Sequence, residues 1–525
     1  MDDGAVSSSK NAVDDGIVEC ESSLEEQHKQ ISQTPPPKAR RNRFTRWLHY
    51  LEWNGVEPVP EEQQTQRSIW KIALIWLSVN INILSFSTGT LPPLEGMGLR
   101  SSFYTIVGFI LPSSIVPAYF CTFGPRLGMR QMIHARYSFG YFGSSIIALA
   151  IVFSGLCYTI LYVTSDEKKT DSRNAILAGE TLQAASPWHG DHYALSSVVG
   201  IVIITVIAFL ISICGIRVLH FIERYLWIPI VISFAILAGE AKASAQGLHT
   251  VHHEPKPATR QILGMGVLFV GFQLSYAGMA SDVSLYLHRC ASSTKLFIAC
   301  LITFALPSCC IIMLGAAFGA SAQTIPEWNE LLLSNPSPGP LINYVLTSHL
   351  GNFGNFLTVL LAFSAIGNMA LSFYFISVDF QIILPLLAKL PRFCMPLIAF
   401  SITLPVAIVG RNTFYDTLSN LASIIAYWTA LYCGVVLADH IVIRRLQFSS
   451  YDPAIYNQWQ KLPPGMAALG ACILSLGLVI PFIDQTWFEG PLASALGDLG
   501  FEIGIVLSFV LYLLLRPLEM YIFKR

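Results

Sequence analysis

Apolar runs of bilayer length recur along nearly the whole chain, and this recurrence constrains the fold more than any single motif. A hydrocarbon core takes roughly 20 helical residues to cross. From Ile69 onward twelve such runs are legible, at about 70–92, 101–123, 141–163, 194–214, 224–243, 261–281, 295–319, 353–377, 393–411, 417–438, 465–483 and 499–516. Most are free of charge over their centres; Glu240 lies near the end of the fifth and Glu502 near the start of the twelfth. Of the 525 residues, 53% are hydrophobic and only 12% charged, against roughly 25% charged in soluble domains. A net charge of −1 gives no basic face for nucleic acid. The expected fold is all-α and polytopic, in contact with the lipid bilayer.

Cytoplasmic loops keep the excess of Lys and Arg. With the N-terminus inside, three quarters of the 32 basic residues fall on one side, and both termini are expected in the cytoplasm. Residues 1–66 form a separate polar unit, with acidic clusters, Pro35-Pro36-Pro37 and a basic patch from Lys38 to Arg46. They have too little apolar surface to offset ordering entropy, so a disordered tail is expected. No basic start followed by a short apolar core marks a cleavable signal. Nine of the 11 cysteines lie in or beside apolar runs and read as small buried hydrophobes, so structural disulfides are not expected. The clusters His189-Gly-Asp191-His192 and His249 to Glu254 lack helical spacing and a cysteine partner, and read as loop polarity rather than metal sites.

Breaks in membrane helices survive where they line a cavity. The first run carries Asn80, Asn82, Ser85, Ser87 and Thr88, and Gly89-Thr-Leu-Pro92-Pro93 is expected to stop it early. The sixth turns polar at Gln273, Ser275, Tyr276, Gly278 and Asp282. Five helices separate the two, so they occupy corresponding positions in two halves, as expected of a midplane site between inverted repeats. The eighth run is interrupted similarly by Asn368 and Ser372.

With these motifs in order, the chain resembles the fungal purine–cytosine permeases of the nucleobase–cation symporter-1 superfamily. The resemblance rests on Trp76-x-Ser78-x-Asn80, Gly89-x-Leu91-x-Pro93, Gly124-x-x-Leu127-Gly128-Met129-Arg130, the His220, Glu223, Trp227, Pro229 set, and Ala280-Ser281-Asp282. It implies twelve helices: a five-plus-five inverted repeat, residues 69–243 and 261–438 within a core of 67–438, and two extra helices within 439–525. It also implies proton-driven uptake of cytosine and purines at the plasma membrane, with no cofactor beyond the proton gradient. Sodium and self-association stay open.

Carried over residue by residue, the family's first-helix serine falls on Ser85, with Gly89 in the same motif. The sixth-helix pair falls on Ser275 and Tyr276. The third-helix Gly-Trp and following Asn become Gly155-Leu156 and Ile160, with Tyr158 or Tyr162 as a replacement ring. The eighth-helix Asn is Asn368, while its Pro-Asn pair becomes Leu371-Ser372. Loss of two amides points to a larger or less polar ligand than cytosine, such as a vitamin B6-like compound, a nucleoside or an exported metabolite. Asn80 and Asp282 are candidates for coupling or gating, Asp282 also for a structural pair with Arg130 or Arg136. Glu223 and Arg224 read as part of an inner-loop charge network. No G-x-S-x-G or H-E-x-x-H motif supports an enzyme. A non-transporting membrane sensor is the reading from another class.

Overall fold

A computed structural model describes residues 55–161, 177–186, 188–189, 192–193, 197–244, 256–334, 337–383, 394–409, 414–485 and 488–524. The expected disorder of residues 1–54, Tyr162 and the His249–Glu254 cluster lie outside them.

The principal helices are α1 (Ile69–Asn80), α2 (Ile83–Leu94), α3 (Leu99–Phe120), α4 (Gln131–Leu161), α5 (Ser197–Ile213), α6 (Ile216–Ser244) and α7 (Thr259–Leu274). After a break follow α8 (Ser293–Ala322), α9 (Asn352–Ile383), α10 (Met395–Val409), α11 (Phe414–Ala438), α12 (Met466–Val479) and α13 (Gly500–Phe523). Among the described residues, eight helices are long and apolar enough to cross a membrane, the bent pair α1–α2 makes a ninth, and three shorter apolar helices accompany them. The chain is therefore a mostly helical, multi-pass membrane protein.

Helix α1 ends because Ile81 and Asn82 leave helical backbone angles, and α2 resumes at 49° to it. The polar residues of the run brace the break, and Asn82 satisfies a carbonyl that it frees. Asn80 Nδ2 donates to the Trp76 carbonyl at 2.7 Å and Asn82 Nδ2 to that of Val79 at 2.6 Å. Asn82 Oδ1 caps α2 by accepting from the Ser85 amide at 2.9 Å. The expected stop at Gly89 does not occur: α2 continues through Pro92 and Pro93 to Leu94. Gly89 instead permits a helix crossing. A Cβ there would lie 1.9 Å from the Ile312 carbonyl oxygen of α8, and one on Gly315 would lie 1.9 Å from that of Phe86. Small residues bring the two backbones into contact.

The sixth run breaks where its polarity begins. α7 ends at Leu274, Ser275–Gly278 form a 3-10 turn, and a short helix resumes at Ala280–Ser284. The eighth run stays one continuous helix through Asn368 and Ser372. Helix α6 begins eight residues before its apolar run. Gly140 leaves helical angles (φ 72°, ψ 177°) and breaks α4, so the run expected from 141 is its second part, and the first part is held by buried polar contacts. Gln131 Nε2, for example, donates to the Tyr432 hydroxyl at 2.9 Å.

Residues 55–66, counted with the tail on sequence, pack against the body. The Val59 amide donates to the Gly128 carbonyl at 2.7 Å, and Gln64 bonds the carbonyls of Pro125 and Leu285. The nine cysteines Cys121, Cys157, Cys214, Cys300, Cys309, Cys310, Cys394, Cys433 and Cys472 are free. Cys290, the described cysteine that sits in a polar loop, is disulfide-bonded, contrary to expectation.

Candidate functional site

A small, partly open cavity lies between α4, the break after α7, α9 and α11. Helix α4 contributes Ile151, Ser154, Gly155 and Tyr158, and α9 contributes Asn368 and Ser372. Phe272, Ser275, Tyr276 and Met279 come from the broken sixth run, and Trp428 from α11. No Asp, Glu, Lys, Arg or His is among these residues.

Each aromatic wall is fixed by a bond of its own. Tyr158 donates to the Gly271 carbonyl at 2.9 Å, close to where α7 unwinds, and meets Phe272 edge-on at 5.7 Å. Trp428 Nε1 donates to Ser154 Oγ at 3.0 Å. Tyr276 packs edge-on against Trp76 at 5.5 Å and accepts from Asn368 Nδ2 at 3.4 Å. Ser154 and Ser275 donate back to the carbonyls of Ala150 and Phe272, both at 2.9 Å. Ser275 Oγ therefore keeps acceptor capacity, while Ser154 Oγ already accepts from Trp428. The arrangement suits a flat ring gripped by π faces whose edge N–H groups meet neutral acceptors.

The cavity brings together Tyr158, Ser275, Tyr276, Asn368 and Ser372 from among the residues singled out on sequence. Ser85, Gly89 and Leu156 do not line it. Ser85 is fully buried with its hydroxyl unbonded, Gly89 serves the α2–α8 crossing, and Leu156 packs half-buried on the core. The Ile160 side chain lies outside the described set. Trp428 and Ser154, not singled out on sequence, are added to the lining by the structure.

Asn80 and Asp282 lie away from the cavity lining. Asn80 Oδ1 accepts from Ser308 at 2.7 Å. Asp282 pairs with Arg130 at 3.3 Å and accepts from the Gln131 amide at 2.6 Å, while Arg136 bonds the Tyr456 carbonyl instead. Glu240 pairs with His349 at 3.2 Å. Glu223 is no member of an inner-loop network; it is inside α6, 1% exposed.

The architecture is that of a solved nucleobase-cation-symport-1 family transporter, MHP1, crystallised closed with bromovinylhydantoin. The two share 14% identity and a TM-score of 0.64, over 90% of this chain and 96% of the other. The purine-cytosine permease fcyB of Emericella nidulans is 29% identical over 478 residues, 90% of each chain. The purine-cytosine permease FCY2 of Saccharomyces cerevisiae is 28% identical over 490 residues, 91% of this chain and 89% of its own. The vitamin B6 transporter TPN1 of that yeast is 25% identical over 531 residues, 90% and 88%. A family model described as a permease for cytosine/purines, uracil, thiamine and allantoin matches residues 58–504, and the chain belongs to that family of membrane transporters, not of enzymes.

Proposed function

We propose that this transporter carries a nucleobase of the cytosine or purine type, or a closely related neutral heteroaromatic, by proton-coupled symport across the plasma membrane. The observation that carries the reading is the chemistry of the cavity wall: four aromatic rings, an amide and three serine hydroxyls, without a charge. An ionic solute would be buried there unpaired, at a cost of several kcal/mol. A planar base loses less, because its faces stack and its edges find Asn368, Ser275 and Ser372. The purine-cytosine permeases among the relatives point the same way.

The scaffold we infer is twelve spans, with the broken first and sixth runs at matching places in two inverted repeats, residues 69–243 and 261–438. Residues 439–525 add two helices, and both termini face the cytoplasm. The nine long or bent spans and three shorter apolar helices support that number. A vitamin B6-like ligand is the second reading. It is favoured by Ser372, which offers fewer directed bonds than the amide of the resembled pattern, and by the likeness to a vitamin B6 transporter.

Expression in yeast lacking its own cytosine and pyridoxine uptake tests the proposal. Radiolabelled cytosine is expected to accumulate in acid medium, to be lost on adding a protonophore and to be competed by adenine. Accumulation of pyridoxine alone would favour the second reading, and uptake of neither would overturn both. Deletion of residues 1–54, which spares the segment packed against the body, separates transport from sensing: uptake is expected to survive it.

A further inference from the structure

Glu223 of α6 is an acidic side chain that does not line the cavity and has no ion pair among the described residues. It is 1% exposed, and both carboxyl oxygens lack a hydrogen-bond partner. A Cβ added to Gly367 would lie 2.2 Å from its Oε1, so the carboxyl rests on the α9 backbone one residue before the cavity amide Asn368. Ser78, two residues before the end of α1, is the hydroxyl set against it. The carboxyl thus stands where the broken first run, α6 and α9 meet.

The elements packed on it bring mostly uncharged side chains. α6 packs against α1, α5, α9 and the short helix Gly339–Leu350. From α1 it faces Ser78, and Tyr276 of the sixth-run break is the titratable group within its electrostatic reach. On α9 the next acid, Asp379, is twelve residues on, about 18 Å along a helix. On the short helix His349 is engaged by Glu240, far toward the other end of α6. α5 brings Thr205 and Ser212 and no charged side chain among its described residues. His220 sits one turn away on α6 itself. No lysine or arginine has an ion pair with Glu223 among the described residues.

A metal cation is poorly served at this junction. The Val79 carbonyl already accepts from Asn82 and Asn368, the Trp76 carbonyl from Asn80, and Ser364 Oγ from the Ile83 amide at 3.0 Å. A proton needs only the carboxyl.

We propose that Glu223 is the proton carrier of this transporter, an inference that rests on the proton-coupled reading given above. The carboxylate forms an O–H bond with a proton from the outer water while the site faces outward. It crosses the buried state neutral, since an unpaired carboxylate there is prohibitively costly. The O–H bond breaks toward inner water once that side opens, and no electrons change hands. Contact with Ser78 and with the α9 backbone beside Asn368 links its protonation to substrate binding.

The test uses the full chain in sealed yeast vesicles with radiolabelled cytosine as probe. One proton per neutral substrate sets a limit of about tenfold accumulation per unit of pH difference. Wild type is expected to approach that ratio. Glu223→Gln is expected to hold the ratio near one at every pH difference, while still exchanging internal for external cytosine. Accumulation by E223Q that follows the pH difference as wild type does would overturn the assignment. Should E223Q fail to reach the membrane, Glu223→Asp serves: a shifted pH profile of accumulation supports the carrier, and an unmoved one overturns it. Wild-type accumulation that ignores pH and follows sodium would instead sink the proton-coupled reading itself.

Discussion

Tyr276 separates two contributions to ligand binding that the geometry keeps on one side chain. Its ring lines the cavity, and its hydroxyl receives Asn368 Nδ2 at 3.4 Å, the long end of hydrogen-bonding range. Tyr276→Phe removes only that long bond, worth less than about 1 kcal/mol, so apparent affinity for cytosine should change by about fivefold at most. Tyr276→Leu removes the π face. Base–aromatic stacking contributes about 1–3 kcal/mol per base, so affinity should fall by about 5- to 150-fold. The leucine also loses the edge contact with Trp76 at 5.5 Å and the tilted one with Phe304 at 5.6 Å, which brace the break. Surface abundance must therefore be measured beside transport. The assay is concentration-dependent uptake of radiolabelled cytosine, normalised to protein at the membrane. A Y276L variant with wild-type affinity and abundance would refute stacking at this position.

Gly89→Ala places a methyl 1.9 Å from the Ile312 carbonyl, where a carbon needs about 3.3–3.6 Å. The α2–α8 crossing must spread, and a loss of about 1–3 kcal/mol should lower the thermal midpoint of purified protein; an unchanged midpoint would contradict the crossing. Asp282→Asn removes the charge paired with buried Arg130, which costs about 3–5 kcal/mol and should abolish surface expression. Normal abundance by fluorescence microscopy would count against a structural pair. Burial raises the carboxyl of Asp498, before α13, and hydrogen bonds from Tyr427, the Gly500 amide and Gln485 only partly offset this. The folded state keeps that proton after the unfolded chain has released it, so stability should fall as pH rises above the ordinary carboxylate value. Asp498→Asn should flatten that stretch of the thermal-midpoint profile, and an identical slope would refute it.

The helices and the two broken runs were legible because the signal is physical: polar side chains inside a lipid-length apolar run need a protein or water partner. Asn80 and Asn82 announced a break, and Asn82 turned out to bond the Val79 carbonyl it frees while Asn80 bonds back into α1. Its exact place was not legible, since Gly89 and the Pro92-Pro93 pair look like stops and yet sit inside α2, where Gly89 answers to a neighbouring helix. Asn368 and Ser372 interrupted hydropathy without interrupting α9, because a helix tolerates polar side chains that face a cavity. Trp428 stayed hidden for the opposite reason: an indole in an apolar run looks like core until Ser154 is seen across the gap. Glu223 looked like loop charge because hydropathy started its helix eight residues late.

The central claim is that a flat neutral heteroaromatic occupies the cavity between Tyr276, Tyr158, Asn368 and Trp428. Thiol modification of a Ser372→Cys variant by a small membrane-permeant reagent, followed by cytosine uptake, addresses it most directly. The account predicts that modification stops uptake and that cytosine present during labelling protects in proportion to its occupancy, whereas a cysteine at Leu156, outside the lining, gains no such protection. Labelling of S372C at the same rate with saturating cytosine as without would contradict it.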